Sequence, residues 1–309
     1  MAFKFNPRES AGDGIRRMAR EQMDKALAEI DDSGLDRQQT VHQVRKRCKK
    51  IRALLQLARG DLDNAGKVYQ RENACFRDAA RSLSNVRDAE ALLETCDKLI
   101  DASPRQDKRQ RLENARHVLE ERRLTAVQDD IGLDERIDAF AATLRAARQR
   151  VEAWPIGDSF AALAPGLKKN YRRGRKAMKS AVKTPSTDKL HEWRKRVKYH
   201  RYHLQVLRPT WDAVLHAWQD ELNDMGEALG DDHDLAVFTA TLSEEHARFT
   251  SNRELRALVG LCDRRRAQLQ ARVFPLGQRA FTEKPKHLVR RLEVYWKASR
   301  SEFPLPAHD

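Results

Sequence analysis

Two stretches of this sequence resemble each other, and they guide the interpretation of the rest. Residues 41–59 read VHQVRKRCKKIRALLQLAR, and residues 190–208 read LHEWRKRVKYHRYHLQVLR. They share nine of 19 residues at a constant offset of 149 positions. Weaker similarities precede and follow each copy in the same order, at offsets of 152 and 146. Three similarities in one order predict an internal duplication of the chain.

Both stretches have the periodicity of an amphipathic helix. Apolar positions of the first copy are 41, 44, 48, 51, 55 and 58, and these steps of three and four keep them on one helical face. Glycine (13) and proline (10) are scarce among the 309 residues, which favours long helices over strands. We expect Asp36 and Thr187 to cap the two helices, and we expect breaks at Gly230-Asp231 and at Pro275.

The sequence therefore predicts an all-α protein that is internally duplicated. About ten to twelve periodic segments separated by short loops indicate two packed bundles, each built on four longer helices. The expected repeats are residues 3–152 and 158–300, which meet near Trp154-Pro155.

Positive charge is concentrated in the two related stretches. The chain carries a net charge of +14, yet residues 166–208 alone carry +13 and residues 41–59 carry +7. The remaining residues are therefore acidic overall. This distribution favours a binding site for a polyanion over a charge that only keeps the protein in solution.

One row of polar side chains is identical in the two copies. Steps of three and four place each row along one side of a helix, over about 21 Å. Arginine binds phosphate oxygens in a bidentate manner, lysine supplies a point charge, and histidine can donate a hydrogen bond. Histidines titrating near pH 6.5 would give a modest gain in affinity as the pH falls. The rows are His42, Arg45, Lys49, Arg52 and Gln56, and His191, Arg194, Lys198, Arg201 and Gln205.

Two other functions stay open at this stage. Residues 231–234 read DDHD, and their His-Asp pair resembles part of a metal-dependent phosphohydrolase site. A helix cap at Gly230-Asp231 explains the same residues more simply. Any basic helical protein is also a candidate for nucleic-acid binding, but aromatic residues are only 6% of the chain and few could stack on bases from the basic rows. We expect binding without catalysis, cofactor or metal.

The remaining composition is typical of a cytoplasmic protein. The four cysteines show no CxxC spacing and are expected to be buried thiols in a reducing compartment. No stretch without Asp, Glu, Lys or Arg exceeds nine residues, so membrane insertion is not expected.

The paired motifs resemble those of the CHAD (conserved histidine α-helical domain) family. They read Val41-His42-x-x-Arg45-Lys46-x-x-Lys49-x-x-Arg52 and Leu190-His191-x-x-Arg194-Lys195-x-x-Lys198-x-x-Arg201. The resemblance covers about residues 3–300. It implies one domain of two four-helix bundles related by a pseudo-twofold axis. It also implies a basic groove or pore between them that binds inorganic polyphosphate, and in some members an association with polyphosphate granules.

The resemblance places the binding residues on the two basic rows. Lys46 and Lys195 belong to the same motifs, and basic residues on the preceding helices are a looser match. Many members are joined to a triphosphatase domain with an ExExK motif, which this sequence lacks, so that activity is not expected. The implied set is His42, Arg45, Lys46, Lys49, Arg52, His191, Arg194, Lys195, Lys198 and Arg201, with Arg16, Arg20, Lys168, Arg172, Arg175 and Lys179.

Overall fold

Helices account for nearly all of the structure, which is a computed structural model. It describes residues 3–7, 9–64, 66–83, 85–103, 105–128, 132–246 and 252–301. None of these residues lies in a strand, so the predicted all-α class is confirmed. The helices are α1 (Ala11–Asp31), α2 (Arg37–Leu57), α3 (Arg59–Asn64), α4 (Val68–Arg81), α5 (Asn85–Asp101), α6 (Gln106–Gln128), α7 (Leu133–Arg150), α8 (Ala164–Lys183), α9 (Thr187–Leu207), α10 (Asp212–Glu244), α11 (Asn252–Ala280) and α12 (Pro285–Ser301).

The N-terminal part of the chain is organised around α2. This helix packs against α1 on one side and α4 on the other, and α7 closes the group by contacting both α1 and α4. The six apolar positions predicted for α2 are all buried, which confirms the helical face derived from the sequence. Ile15, Phe76 and Phe140 from the three surrounding helices are also fully or almost fully buried and complete this core.

The C-terminal part is a second group of long helices. In it α9 packs between α8 and α10, α10 packs against α11, and α12 covers α8. Trp193, Phe238 and Phe281 are fully or almost fully buried here. A Cβ at Gly166 would collide with the carbonyl oxygen of Leu57, so this glycine lets the start of α8 cross the end of α2 in close contact. The crossing brings α2 close to α9.

The two parts of the chain are interleaved. The α5–α6 hairpin precedes residue 152, yet α5 also packs against α10 and α6 against α11. The N-terminal segment crosses in the same direction, since the Phe5 amide donates to the Val206 carbonyl at 3.1 Å. The internal duplication, its boundaries and its pseudo-twofold axis remain predictions.

Three expectations about where helices begin or break are wrong. Asp36 caps α2 in a capping box with Gln39, as expected, but Ser186 rather than Thr187 caps α9. No break occurs at Gly230-Asp231, because α10 runs through it as one helix of 33 residues. Pro275 likewise lies inside α11. Phe274, the residue before this proline, stacks on Trp193 of α9 with 6.2 Å between the ring centroids.

The structure also gives the state of the cysteines and the character of the helices. All four cysteines are free thiols; Cys48, Cys96 and Cys262 are buried and Cys75 is half-buried. Among the described residues, no helix combines the length and the apolar character that crossing a bilayer requires.

Candidate functional site

The first basic row lies on α2 beside its buried face. His42 and Lys49 are exposed, and Arg45 and Arg52 are half-buried. Helix α4 positions the two arginines: Nη1 of Arg45 donates to the Ala80 carbonyl at 3.1 Å, and Nε of Arg52 donates to Oδ1 of Asn73 at 3.1 Å. The guanidinium groups are therefore held in place by the fold.

The fifth member of the first row is not part of this surface. Gln56 is buried, and its Nε2 donates to the Tyr69 hydroxyl at 2.5 Å. The exposed part of this row therefore ends at Arg52. The repeated row of the sequence continues one turn further, to Gln56.

The second row lies on α9 and faces α10. The guanidinium of Arg194 rests on the backbone of α10, where a Cβ at Gly230 would lie 2.8 Å from its Nη2. Asp231 and Asp234 attract this guanidinium, although burial is the larger effect and lowers its pKa. Gly230 thus allows Arg194 a close approach to α10 instead of ending the helix.

The two rows meet because α2 and α9 pack together. Nε2 of His203 on α9 lies 3.1 Å from the Ala53 carbonyl oxygen on α2, deep in the contact. One cavity of about 410 Å³ is open to this junction. Its charged lining combines α2, α4 and α9 and comprises Arg45, Lys49, Arg52, Arg77, Arg81 and His191.

The charges of the two helices influence each other. Burial, followed by the charges of Arg194 and Lys49, lowers the pKa of Lys198 to about 7. Burial, followed by Arg47 and Lys46, lowers the pKa of Lys50 to about 8, and Arg201 contributes from α9. Like charges from α2 and α9 therefore repel each other across the junction. We call the surface formed by His42, Arg45, Lys49 and Arg52 with His191, Arg194, Lys198 and Arg201 the cationic groove.

A pair of histidines lies beside Arg194. The rings of His191 and His233 are 4.3 Å apart between centroids. Burial, then the charge that His233 could carry, lowers the pKa of His191 to about 4, and burial also lowers the pKa of His233. Both Nδ1 atoms and Nε of Arg194 are buried without a hydrogen-bond partner among the described residues.

Of the cationic groove, only Arg45, Lys49, Arg52 and His191 line the cavity, and the other predicted basic residues lie outside this lining as well. Arg16 donates to the Trp154 carbonyl at 3.0 Å in the segment before α8, and Arg20 pairs with Glu152. Lys195 is exposed and pairs with Glu192 at 2.6 Å. Arg175 donates to the Thr282 carbonyl at 3.4 Å, on the side of α8 that faces the α11–α12 turn. Lys46, Lys168, Arg172 and Lys179 are exposed.

Two cationic residues of the cavity were missed by the sequence analysis. Arg77 and Arg81 are one turn apart on α4, and both are exposed. Arg77 pairs with Asp78 at 2.7 Å, so its charge is partly balanced. Their spacing at i and i+4 is a weak signal, because only the packing of α4 on α2 turns them toward the basic row.

The DDHD segment has a structural role in α10. Asp231 pairs with Lys98 of α5 at 2.9 Å. Asp232 is buried and accepts from Arg266 at 3.2 Å and from Gln270 at 2.8 Å. Among the described residues, no group of three or more His, Cys, Asp and Glu side chains is arranged to hold a metal ion. A metal-dependent phosphohydrolase site at residues 231–234 is therefore not favoured.

Comparison with known proteins identifies the family. A family model described as the CHAD domain matches residues 17–243. The fold is similar to the crystal structure of the CHAD domain from the plant Ricinus communis, with a TM-score of 0.56, 17% sequence identity and coverage of 95% of both chains. No curated protein gave a significant match. With most of its length matched by the family model, this chain belongs to the CHAD domain family.

Proposed function

We propose that this protein binds inorganic polyphosphate in the cationic groove between α2 and α9. The observation that carries the proposal is the cavity of about 410 Å³, in which His191 of α9 lies with Arg45, Lys49 and Arg52 of α2. Residues from the two sequence motifs thus reach one ligand-sized space. The CHAD motifs quoted above support the same ligand.

The charge of the groove favours a polyanion with closely spaced charges. The pKa of Lys198 falls to about 7 because the lysine is buried among other cations. A phosphate chain lying between the rows would relieve this repulsion and keep Lys198 charged. A single small anion could neutralise only part of a groove that extends over several turns of two helices.

Buried polar atoms of the groove support the presence of a ligand. Nε of Arg194 and Nδ1 of His191 lack hydrogen-bond partners among the described residues. Leaving a buried polar group unpaired costs about 1–3 kcal/mol. Phosphate oxygens accept hydrogen bonds from both side chains, so a bound polyphosphate would recover part of that cost.

The proposal is binding without turnover, in the cytoplasm and at polyphosphate granules. Its test is the affinity of Lys49→Glu, Lys198→Glu and the double variant for long-chain polyphosphate. Arg272→Glu is the matched control, because Arg272 is exposed on α11, pairs with Asp224 and does not line the cavity of the groove. Each groove variant should weaken binding at least tenfold, and the control should change it less than twofold.

The double variant tests whether the rows form one site. Lys49 and Lys198 influence each other electrostatically, so their effects should not be additive. If only one of the two lysines affects the affinity, the rows do not share a ligand and the proposal is wrong. Tight binding of duplex DNA with weak binding of polyphosphate at equal phosphate concentration would favour nucleic acid, and release of phosphate would indicate an enzyme.

A further inference from the structure

A second cleft is lined by the α5–α6 hairpin together with α10 and α11. It consists of two adjoining cavities of about 290 and 250 Å³. Both are lined by Lys108 of α6 and by Leu261 and Arg264 of α11, so they share one wall. The cleft shares no lining residue with the cavity of the cationic groove. Pockets that bind small molecules typically measure about 300–1,000 Å³.

Charge is distributed unevenly along this cleft. The smaller cavity is bordered by Lys108, Arg111, Arg256 and Arg264, and contains no carboxylate among its lining residues. The larger cavity contains Asp231 and Asp234, together with Lys98, which pairs with Asp231 at 2.9 Å. One end is therefore strongly cationic, and the other offers carboxylate acceptors.

The larger cavity also has an apolar floor. Leu99 is 7% exposed and Leu235 is 3% exposed, and both line it beside the half-buried Leu261. Thr95 and Ser103 lie at the same wall, with hydroxyl groups that donate to backbone carbonyls of their own helix and keep lone pairs to accept. This cavity combines a surface for a flat apolar group with several hydrogen-bond acceptors.

These features together select one class of ligand. Inorganic polyphosphate would gain nothing from leucines and would be repelled by Asp231 and Asp234. A neutral apolar molecule would form no charge-assisted hydrogen bonds with the arginines and the lysine. A molecule with phosphates at one end, and a ring and hydroxyl groups at the other, fits both ends.

We propose that the α6–α11 cleft binds a nucleotide. Its phosphates would lie at Lys108, Arg256 and Arg264, where guanidinium groups bind phosphate oxygens. Its base would lie on Leu99 and Leu261, and its ribose hydroxyls would donate to the carboxylates, as acidic residues accept from ribose in other nucleotide sites. The inference is independent of polyphosphate binding in the groove.

The experiment measures binding of ATP, AMP and tripolyphosphate by calorimetry without divalent cations. It uses the Lys49→Glu/Lys198→Glu double variant, so that phosphate binding in the groove does not contribute. ATP should bind, AMP should bind more weakly because it has fewer charges, and tripolyphosphate should bind at least tenfold more weakly than ATP. Equal binding of tripolyphosphate and ATP would show a cationic surface that does not recognise nucleotides, and would overturn the inference.

Two changes in the cleft locate the nucleotide. Arg264→Glu reverses a charge shared by both cavities, and Ala102→Trp fills space beside Leu99 from an exposed position. Each should weaken ATP binding at least tenfold and leave the affinity of otherwise unaltered protein for long polyphosphate unchanged. Arg272→Glu is again the control, since it lies about 12 Å further along α11.

The outcomes separate this inference from the proposed function. If long polyphosphate displaces ATP from unaltered protein, or if ATP binding is lost in the groove double variant, the nucleotide binds in the groove and the inference is wrong. Absence of ATP binding at millimolar concentration also overturns it. None of these results bears on polyphosphate binding in the groove, which is tested separately with the Lys49 and Lys198 variants.

Discussion

The imidazole rings of His191 and His233 lie 4.3 Å apart where α9 meets α10, at the edge of the cationic groove. Burial holds the pKa of His191 at about 4 and lowers that of His233. The sequence predicted a histidine titrating near pH 6.5, whereas partial burial of the His191 ring beside α10 lowers its pKa well below that value. His191 is therefore a neutral hydrogen-bonding group in the groove at pH 7.

Lys198 should control the pH dependence of polyphosphate binding. Its pKa of about 7 means that its charged fraction rises from about a tenth at pH 8 to about nine tenths at pH 6. A polyanion binds the charged form, so the affinity should rise about tenfold as the pH falls over this interval. The measurement is a titration with long polyphosphate at constant ionic strength from pH 8 to pH 6.

The control for this titration is Lys198→Arg. An arginine stays charged throughout the interval, so any remaining pH dependence belongs to the ligand or to other groups. If the unaltered protein and this variant give parallel profiles, Lys198 does not bind the anion in its charged form.

Gly230→Ala should weaken polyphosphate binding without weakening the fold. The new Cβ would lie 2.8 Å from Nη2 of Arg194, so this flexible guanidinium would have to move out of its position in the groove. Alanine also favours a helix over glycine by about 1 kcal/mol. We expect an unchanged or higher melting temperature, measured by circular dichroism, with an affinity several-fold lower.

Gly226→Ala is a matched control one turn earlier on α10. A Cβ there would make ordinary contacts, at 3.8 Å from Val197 and 4.0 Å from Lys198. Its affinity for polyphosphate should stay within twofold of the original. Equal losses in both variants would mean that the helix, and not the position of Arg194, determines binding.

Salt should weaken polyphosphate binding steeply. Release of counterions makes log K fall linearly with log salt, and six to ten phosphate contacts correspond to a loss of about 10³–10⁵ between 50 and 200 mM in nucleic acids. Lys49→Ala should reduce the slope by about one unit, whereas Arg272→Ala should leave it unchanged. A slope near zero with tight binding would contradict a groove that works through its charge.

Asp232→Ala should destabilise the fold. This carboxylate is 1% exposed and accepts from Arg266 and Gln270 of α11, so its removal leaves their donors without an acceptor inside the helix packing. We expect the free energy of unfolding to fall by about 3 kcal/mol. Asp224→Ala removes an exposed carboxylate from the same helix and should cost less than about 1 kcal/mol. Chemical denaturation of the two variants compares them, and equal losses would contradict a structural role for Asp232.

The helical class and the two basic rows follow from the amino-acid sequence alone. The spacing of apolar side chains fixes which face of a helix is buried, and all six positions predicted for α2 are buried. Helical geometry alone then places the basic row at the border of that buried face. For this reason Arg45 and Lys49 could be assigned to one surface before any packing was known.

The surroundings of each row, in contrast, depend on how the helices pack. Gln56 belongs to the repeated row but is buried against Tyr69, whereas Arg77 belongs to neither motif and lines the cavity beside Arg45 and Arg52. Arg16 continues the expected basic pattern but is bound to the segment before α8. Helical periodicity specifies directions around one axis, whereas burial, pKa and the lining of a cavity depend on which other helix packs there, and that is set by contacts between residues far apart in the chain.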